Sequence, residues 1–93
     1  MINGDIKYFI EALETSSDIY IRYKSKKYFI SGNWDTKNKK QLLYVIDLDN
    51  QDEYLWSSYS EKMSDNIKKF MCANIFQNNS FSQVQESIEW IND

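Results

Sequence analysis

The chain has 93 residues, 42% of them hydrophobic and 16% aromatic, with a formal net charge of −3 and an isoelectric point near 4.9. That length suits one domain with a modest core, and the wealth of aromatic residues argues against disorder. Having no His, one Cys and two Gly, the chain lacks the commonest general base, any Ser–His or Cys–His nucleophile, a usual zinc set and a glycine-rich phosphate loop.

Ile2, Ile6, Phe9, Ile10 and Leu13 recur at helical spacing and predict an N-terminal amphipathic helix, capped by Asn3 or Asp5. A helix this short is unstable alone, so its apolar stripe should pack on a sheet.

Residues 18–30 organise the rest. Ile19, Ile21 and Tyr23 alternate with Tyr20, Arg22 and Lys24, and after a polar turn Tyr28 and Ile30 alternate with Phe29 and Ser31. Period-two alternation of β-branched and aromatic residues predicts a β-hairpin with one greasy face and one basic, amphipathic face. The turn has no Asn-Gly or Asp-Gly, which leaves its type open. Gly32 reads as a bulge or the end of the second strand.

Residues 34–40 read as a polar, basic connection. Leu42, Tyr44, Ile46 and Leu48 then alternate with Leu43, Val45 and Asp47, giving a third strand that is apolar on both faces and therefore central or doubly covered. Residues 49–53 form an acidic turn, and residues 54–56 a short fourth strand or an extended lead.

Ser58 and Glu61 have capping-box spacing, as do Ser80 and Gln83. Tyr59, Met63, Ile67, Phe70 and Met71 form the stripe of a second helix. Phe81, Val84, Ile88 and Ile91 form that of a third. Cys72, beside the second helix, reads as a small core hydrophobe, and Trp34 and Trp56, at strand ends, as core plugs in preference to rim contacts. The predicted fold is α+β: an N-terminal helix, a three- to four-stranded antiparallel meander and two C-terminal helices packed on the sheet, leaving the other sheet face at least partly open.

No catalytic site is expected. The fourteen Asp and Glu residues fall in turns, at caps or on solvent faces, whereas catalytic carboxylates need burial or a close partner to tune them. Asp47, Asp49 and Gln51 match the first ligand positions of a calcium loop, but Asp52 stands where the loop needs glycine and Ser58 where it needs Glu. An acidic β-turn is the better reading, and no metal or cofactor is expected. The N-terminus lacks a basic signal-peptide region, and no run approaches the ~18 apolar residues of a membrane span. The expectation is a cytoplasmic protein that binds no membrane.

Charge is strongly divided. Residues 22–40 hold seven Lys/Arg against one acid, while residues 41–93 hold three against nine. Arg22, Lys24, Lys26 and Lys27, together with Lys37, Lys39 and Lys40, are expected along one sheet edge, with Tyr20 sharing a face with Arg22 and Lys24. Trp90 falls roughly 140° from the centre of the last helical stripe and reads either as an outward-facing anchor for a partner or as the cover of a neighbouring element where the helix frays or packs on two sides.

The hairpin, and Ile75–Phe76 followed by Ser80–Phe81 and a helix, loosely resemble small αβ proteins of low-GC Gram-positive bacteria and their phages. The resemblance implies a stand-alone accessory protein, such as an immunity factor, an anti-defence protein or another small inhibitor.

The leading expectation is thus a small non-enzymatic protein-binding module. Arg22, Lys24, Lys26 and Lys27 would steer the partner and Tyr20 and Trp90 would anchor it. Two alternatives stand beside it: single-stranded nucleic-acid binding through the basic hairpin, and self-association through an open sheet face or edge.

Overall fold

The computed structural model describes residues 6–91. In chain order it has α1 (Ile6–Glu14), β1 (Ile19–Tyr23), β2 (Lys26–Asp35), β3 (Lys40–Asp47), β4 (Trp56–Ser60), α2 (Met63–Cys72), the single turn α3 (Phe81–Val84) running into a 3-10 turn over Gln85–Ser87, and β5 (Glu89–Ile91). The five strands form one antiparallel sheet in the order β4-β3-β2-β1-β5. The α+β class holds, but the sheet has five strands, not three or four.

The hairpin forms as its alternation predicts. Ile19 pairs with Ile30 and Ile21 with Tyr28, and all four are buried. Lys24 and Ser25 make the two-residue turn, both at positive φ (48° and 67°), the signature of a type I′ turn built without its customary Asn-Gly. Gly32 is neither a bulge nor a strand end. It pairs with Leu43 inside β2, where a Cβ would lie 2.7 Å from the Leu42 carbonyl oxygen and 2.9 Å from Ser16 Oγ. Close approach of backbone, not chain reversal, requires glycine there.

Residues directly opposite across a sheet share a face. On one face Ile19, Ile21, Tyr23, Tyr28, Ile30, Leu43 and Val45 meet Phe9 and Leu13 of α1, Met63, Ile67 and Phe70 of α2, and Ile75, Phe76, Phe81 and Ile88. Phe9 stacks on Phe81 with centroids 4.9 Å apart, and Phe70 packs against Phe81 at 5.3 Å. A polar side chain with a structural task is built into this layer. Asn66 is fully buried. Its Oδ1 accepts from the Ser58 hydroxyl at 2.8 Å, and its Nδ2 donates to the Gln41 carbonyl at 2.9 Å. These bonds pin α2 to β3 and β4 and satisfy an otherwise costly buried amide.

Several expectations change. The Ser80–Gln83 capping box is present, whereas the Ser58–Glu61 box is not: β4 runs to Ser60, and α2 begins after Lys62 with no side-chain cap. Tyr59 is therefore a strand residue paired with Leu42. The last helix stops after one turn and a 3-10 turn, because β1 has a second edge to fill and β5 fills it. The connection expected over residues 34–40 is shorter than that: β2 extends to Asp35 and β3 starts at Lys40, leaving residues 36–39 as the turn. Cys72 is exposed rather than in the core. Trp56 packs on Phe70 at 5.9 Å, but Trp34 is 50% exposed. Ile2 and the caps Asn3 and Asp5 lie outside the described residues. Among those residues, no helix is long and apolar enough to cross a membrane.

Candidate functional site

The sheet face opposite the core is where sequence and structure leave something unspent. Among the described residues, the helical core packs only on the other face. Reading across the paired strands, Ile91, Tyr20, Phe29 and Ile46 lie in one row, and Leu55, just before β4, donates its backbone N–H to the Val45 carbonyl oxygen of β3. Every strand or its flank contributes an apolar or aromatic side chain. Tyr20, Phe29, Ile46 and Ile91 are half-buried, and Leu55 is 47% exposed.

The next rows continue this surface toward β4. Tyr44 sits between Ser31 and Ser57, and Leu42 between Asn33 and Tyr59. Successive rings form a chain across the face. Centroids are 5.0 Å apart for Tyr20 and Phe29, 6.2 Å for Phe29 and Tyr44, and 4.6 Å for Tyr44 and Tyr54, the last pair stacked. Tyr20 was legible in the sequence as a face residue. Phe29, Tyr44, Ile46, Tyr54, Leu55 and Tyr59 were missed as site residues. The available signal was the second phase of alternation in β3, where Leu42, Tyr44 and Ile46 are as apolar as Leu43 and Val45 on the core face, joined by Phe29 from β2.

The basic residues do not share one edge. Lys26 opens the ten-residue β2, and Lys37 and Lys39 lie in the turn beyond its far end, about 30 Å away at the rise of an extended strand. Those near the hairpin divide again. Arg22 and Lys27 are a cross-strand pair on the aromatic face, next to Tyr20 and Phe29, whereas Lys26 pairs with Tyr23 on the core face. Arg22 Nη2 contacts Glu89 Oε2 at 2.5 Å. Lys26 Nζ contacts Asp47 at 3.0 Å and Asp49 at 3.9 Å. The Asp47 hydrogen bond, followed by its charge, raises the Lys26 pKa above the ordinary lysine value. Lys24 lies in the turn with its Nζ 5.4 Å from the Tyr23 ring centroid and does not share Tyr20's face. Lys24 and Lys27 make no ion pair among the described residues. With Arg22, Ser25, Ser87 and Glu89 they line a shallow hollow of about 460 Å³.

Trp90 is not on an outward helix face. It lies in β5 opposite Ile21, on the core side of the sheet, with its ring edge-on to Phe9 at 5.6 Å. As a half-buried flank of the core, it has a structural task already.

The acidic turn is likewise occupied by local work. Asp47 Oδ1 accepts from the Asp49 amide at 2.9 Å, while its other oxygen holds Lys26. Among the described residues, no group of three or more His, Cys, Asp and Glu is placed to hold a metal ion. Comparison of the chain with protein-family models, with curated proteins and with solved structures returns no match.

Proposed function

We propose that the chain is a small protein-binding module that presents the open face of its sheet to another protein. It would act by occupying that partner's surface, as an inhibitor or an immunity- or anti-defence-type accessory protein does. The observation that carries this reading is the row Ile91–Tyr20–Phe29–Ile46, continued by Tyr44, Tyr54 and Tyr59. A contiguous, ring-rich face of this kind favours burial against a partner over contact with water. Tyrosine suits such a face because it brings large area, a polar tip and few rotors to order on binding. Arg22 and Lys27 border one end of this face on β1 and β2, and Asp49, Asp52 and Glu53 lie at the same end in the turn between β3 and β4. Basic and acidic groups set side by side across the sheet favour one orientation of an oppositely patterned partner.

The test is capture from cells that express the chain natively, comparing the unaltered protein with a Phe29→Lys/Tyr44→Lys variant and a Trp34→Ala control. A specific partner retained by the protein and the control but lost by the double variant is the expected result. A partner held equally by all three overturns the assignment of the face.

A second reading, single-stranded nucleic-acid binding, draws on one arrangement: Arg22 and Lys27 stand beside Tyr20 and Phe29 on the same face. Phosphate contacts next to stacking rings are what such a site needs. It is the weaker reading because Arg22 is tied to Glu89, Lys26 to Asp47, and Lys37, Lys39 and Lys40 lie at the far end of the sheet. Binding of labelled oligonucleotides that falls steeply with salt supports it, and no binding at low salt rejects it.

A further inference from the structure

The two outer strands are protected very differently. β5 is three residues long and carries Glu89, held by Arg22. β4 is five residues, Trp56–Ser60, with no charged residue and no proline. Outer strands normally carry lysine, proline or a bulge, because their free backbone groups otherwise pair with any extended chain that arrives. β4 carries none of these guards itself, the one lysine that reaches it among the described residues being Lys69, whose Nζ donates to Ser60 Oγ at 3.5 Å at the strand's last residue, and its outer side pairs with no strand among those residues.

What surrounds β4 specifies the chain that would fit. Tyr54, Leu55 and Tyr59 are 49%, 47% and 53% exposed. Tyr59 shares the open face with Ser57, and Leu55 and Tyr54 lead into the strand, so a strand laid beside β4 would set alternate side chains against exposed apolar area. At the start of β4, Asp52 and Glu53 make no ion pair among the described residues, since the nearby Lys26 is taken by Asp47 and Asp49. With Gln51 and Tyr54 they line a hollow of about 400 Å³.

We infer that β4 receives an extended peptide segment of a partner protein as a sixth, antiparallel strand. The segment has apolar residues at alternate positions and a Lys or Arg at its C-terminal end, where it passes Asp52 and Glu53. Main-chain hydrogen bonds supply the pairing, and the flanking rings and acids supply the selection. The inference rests on the protein-binding reading above and adds how the partner is gripped at the margin of the open face.

A random peptide library displayed on phage, selected against the whole protein, tests it. The expected consensus alternates apolar residues and ends in Lys or Arg. A synthetic consensus peptide should shift the backbone amide resonances of Ser57 to Ser60. Methylating its pairing backbone nitrogens should weaken binding about tenfold or more, as several hydrogen bonds are lost. Asp52→Lys/Glu53→Lys should weaken it roughly fivefold for the basic-ended peptide and not for one ending in Ala, in line with exposed charge pairs. Selected peptides that shift Tyr20, Phe29 and Tyr44 but leave β4 unmoved overturn strand addition and leave the open-face reading standing. A library yielding no binder also overturns it, while the partner capture still decides the open-face reading. Concentration-dependent β4 shifts without peptide overturn it in favour of pairing between two copies of this chain.

Discussion

Tyr20 and Phe29 stand opposite each other across the first hairpin, ring centroids 5.0 Å apart, on the sheet face away from the core. Their chain neighbours Ile21 and Ile30 are fully buried on the other face. One strand pair therefore divides its labour by parity, one set of side chains for folding and one for the surface. Substitution should separate the two. Ile30→Ala is expected to cost about 2–4 kcal/mol of stability, the range for a truncated core aliphatic. Phe29→Ser should cost less than about 1.5 kcal/mol, since only part of its ring area is withdrawn from water. Urea unfolding of both variants measures the difference. Equal losses would mean that Phe29 belongs to the core.

Gly32→Ala should destabilise by about 1–3 kcal/mol, the usual range for overpacking. The new methyl would meet the Leu42 carbonyl at 2.7 Å and Ser16 Oγ at 2.9 Å, so β2 must move from β3 or from the end of α1. Thermal unfolding monitored by circular dichroism should show the loss. An unchanged midpoint would show that this approach is looser than described.

Asn66→Ala should cost about 1–3 kcal/mol, because the Gln41 carbonyl and the Ser58 hydroxyl would both lose their partner. The paired change Asn66→Ala/Ser58→Ala should cost less than the sum of the single changes, since one bond is shared between them. Denaturant midpoints of the four proteins in the cycle provide the check. Strict additivity would contradict the bond between the two side chains.

Alkaline pH should unfold the protein from the Lys26–Tyr28 end of the sheet. Lys26 holds its proton above the ordinary value of 10.5, through its hydrogen bond to Asp47 and then the charge of that carboxylate. Tyr28 is raised above 10.0, first by burial and then by Asp47. Both groups bind protons more tightly folded than unfolded. Their contribution is therefore complete below pH 10.0 and is lost as pH climbs through and past the two folded values. Urea midpoints should hold from about pH 8 to 9.5 and then fall, with a shallower fall in Lys26→Met. A midpoint independent of pH across that window would contradict the linkage.

Legibility followed the number of repeats each pattern had. The hairpin alternates over enough residues to fix its strands, and the stripe of Met63, Ile67 and Phe70 fixes α2. β5 has three residues, and Phe81, Val84, Ile88 and Ile91 fit helical spacing by coincidence. Ile88 in fact faces the core while Ile91 pairs beside Tyr20 on the other face. The two Ser-x-x-Glu/Gln segments show the same limit. Ser80 caps its helix, whereas Ser58 turns its hydroxyl to Asn66, a partner only the tertiary fold supplies. For the surface, composition revealed the cations but not their neutralisation by Glu89, Asp47 and Asp49, which come from distant segments. The aromatic face is assembled from residues on different strands, and only the cross-strand register brings them together.

Photo-cross-linking in native cells reads the surface most directly. A benzophenone amino acid is placed in turn at Tyr20, Phe29, Tyr44 and Tyr59 on the open face, and at Trp34, Lys68 and Cys72 elsewhere. The account predicts one shared adduct from the open-face positions, absent from the other three. Adducts from the helix positions alone, or equal labelling from all seven, would contradict it.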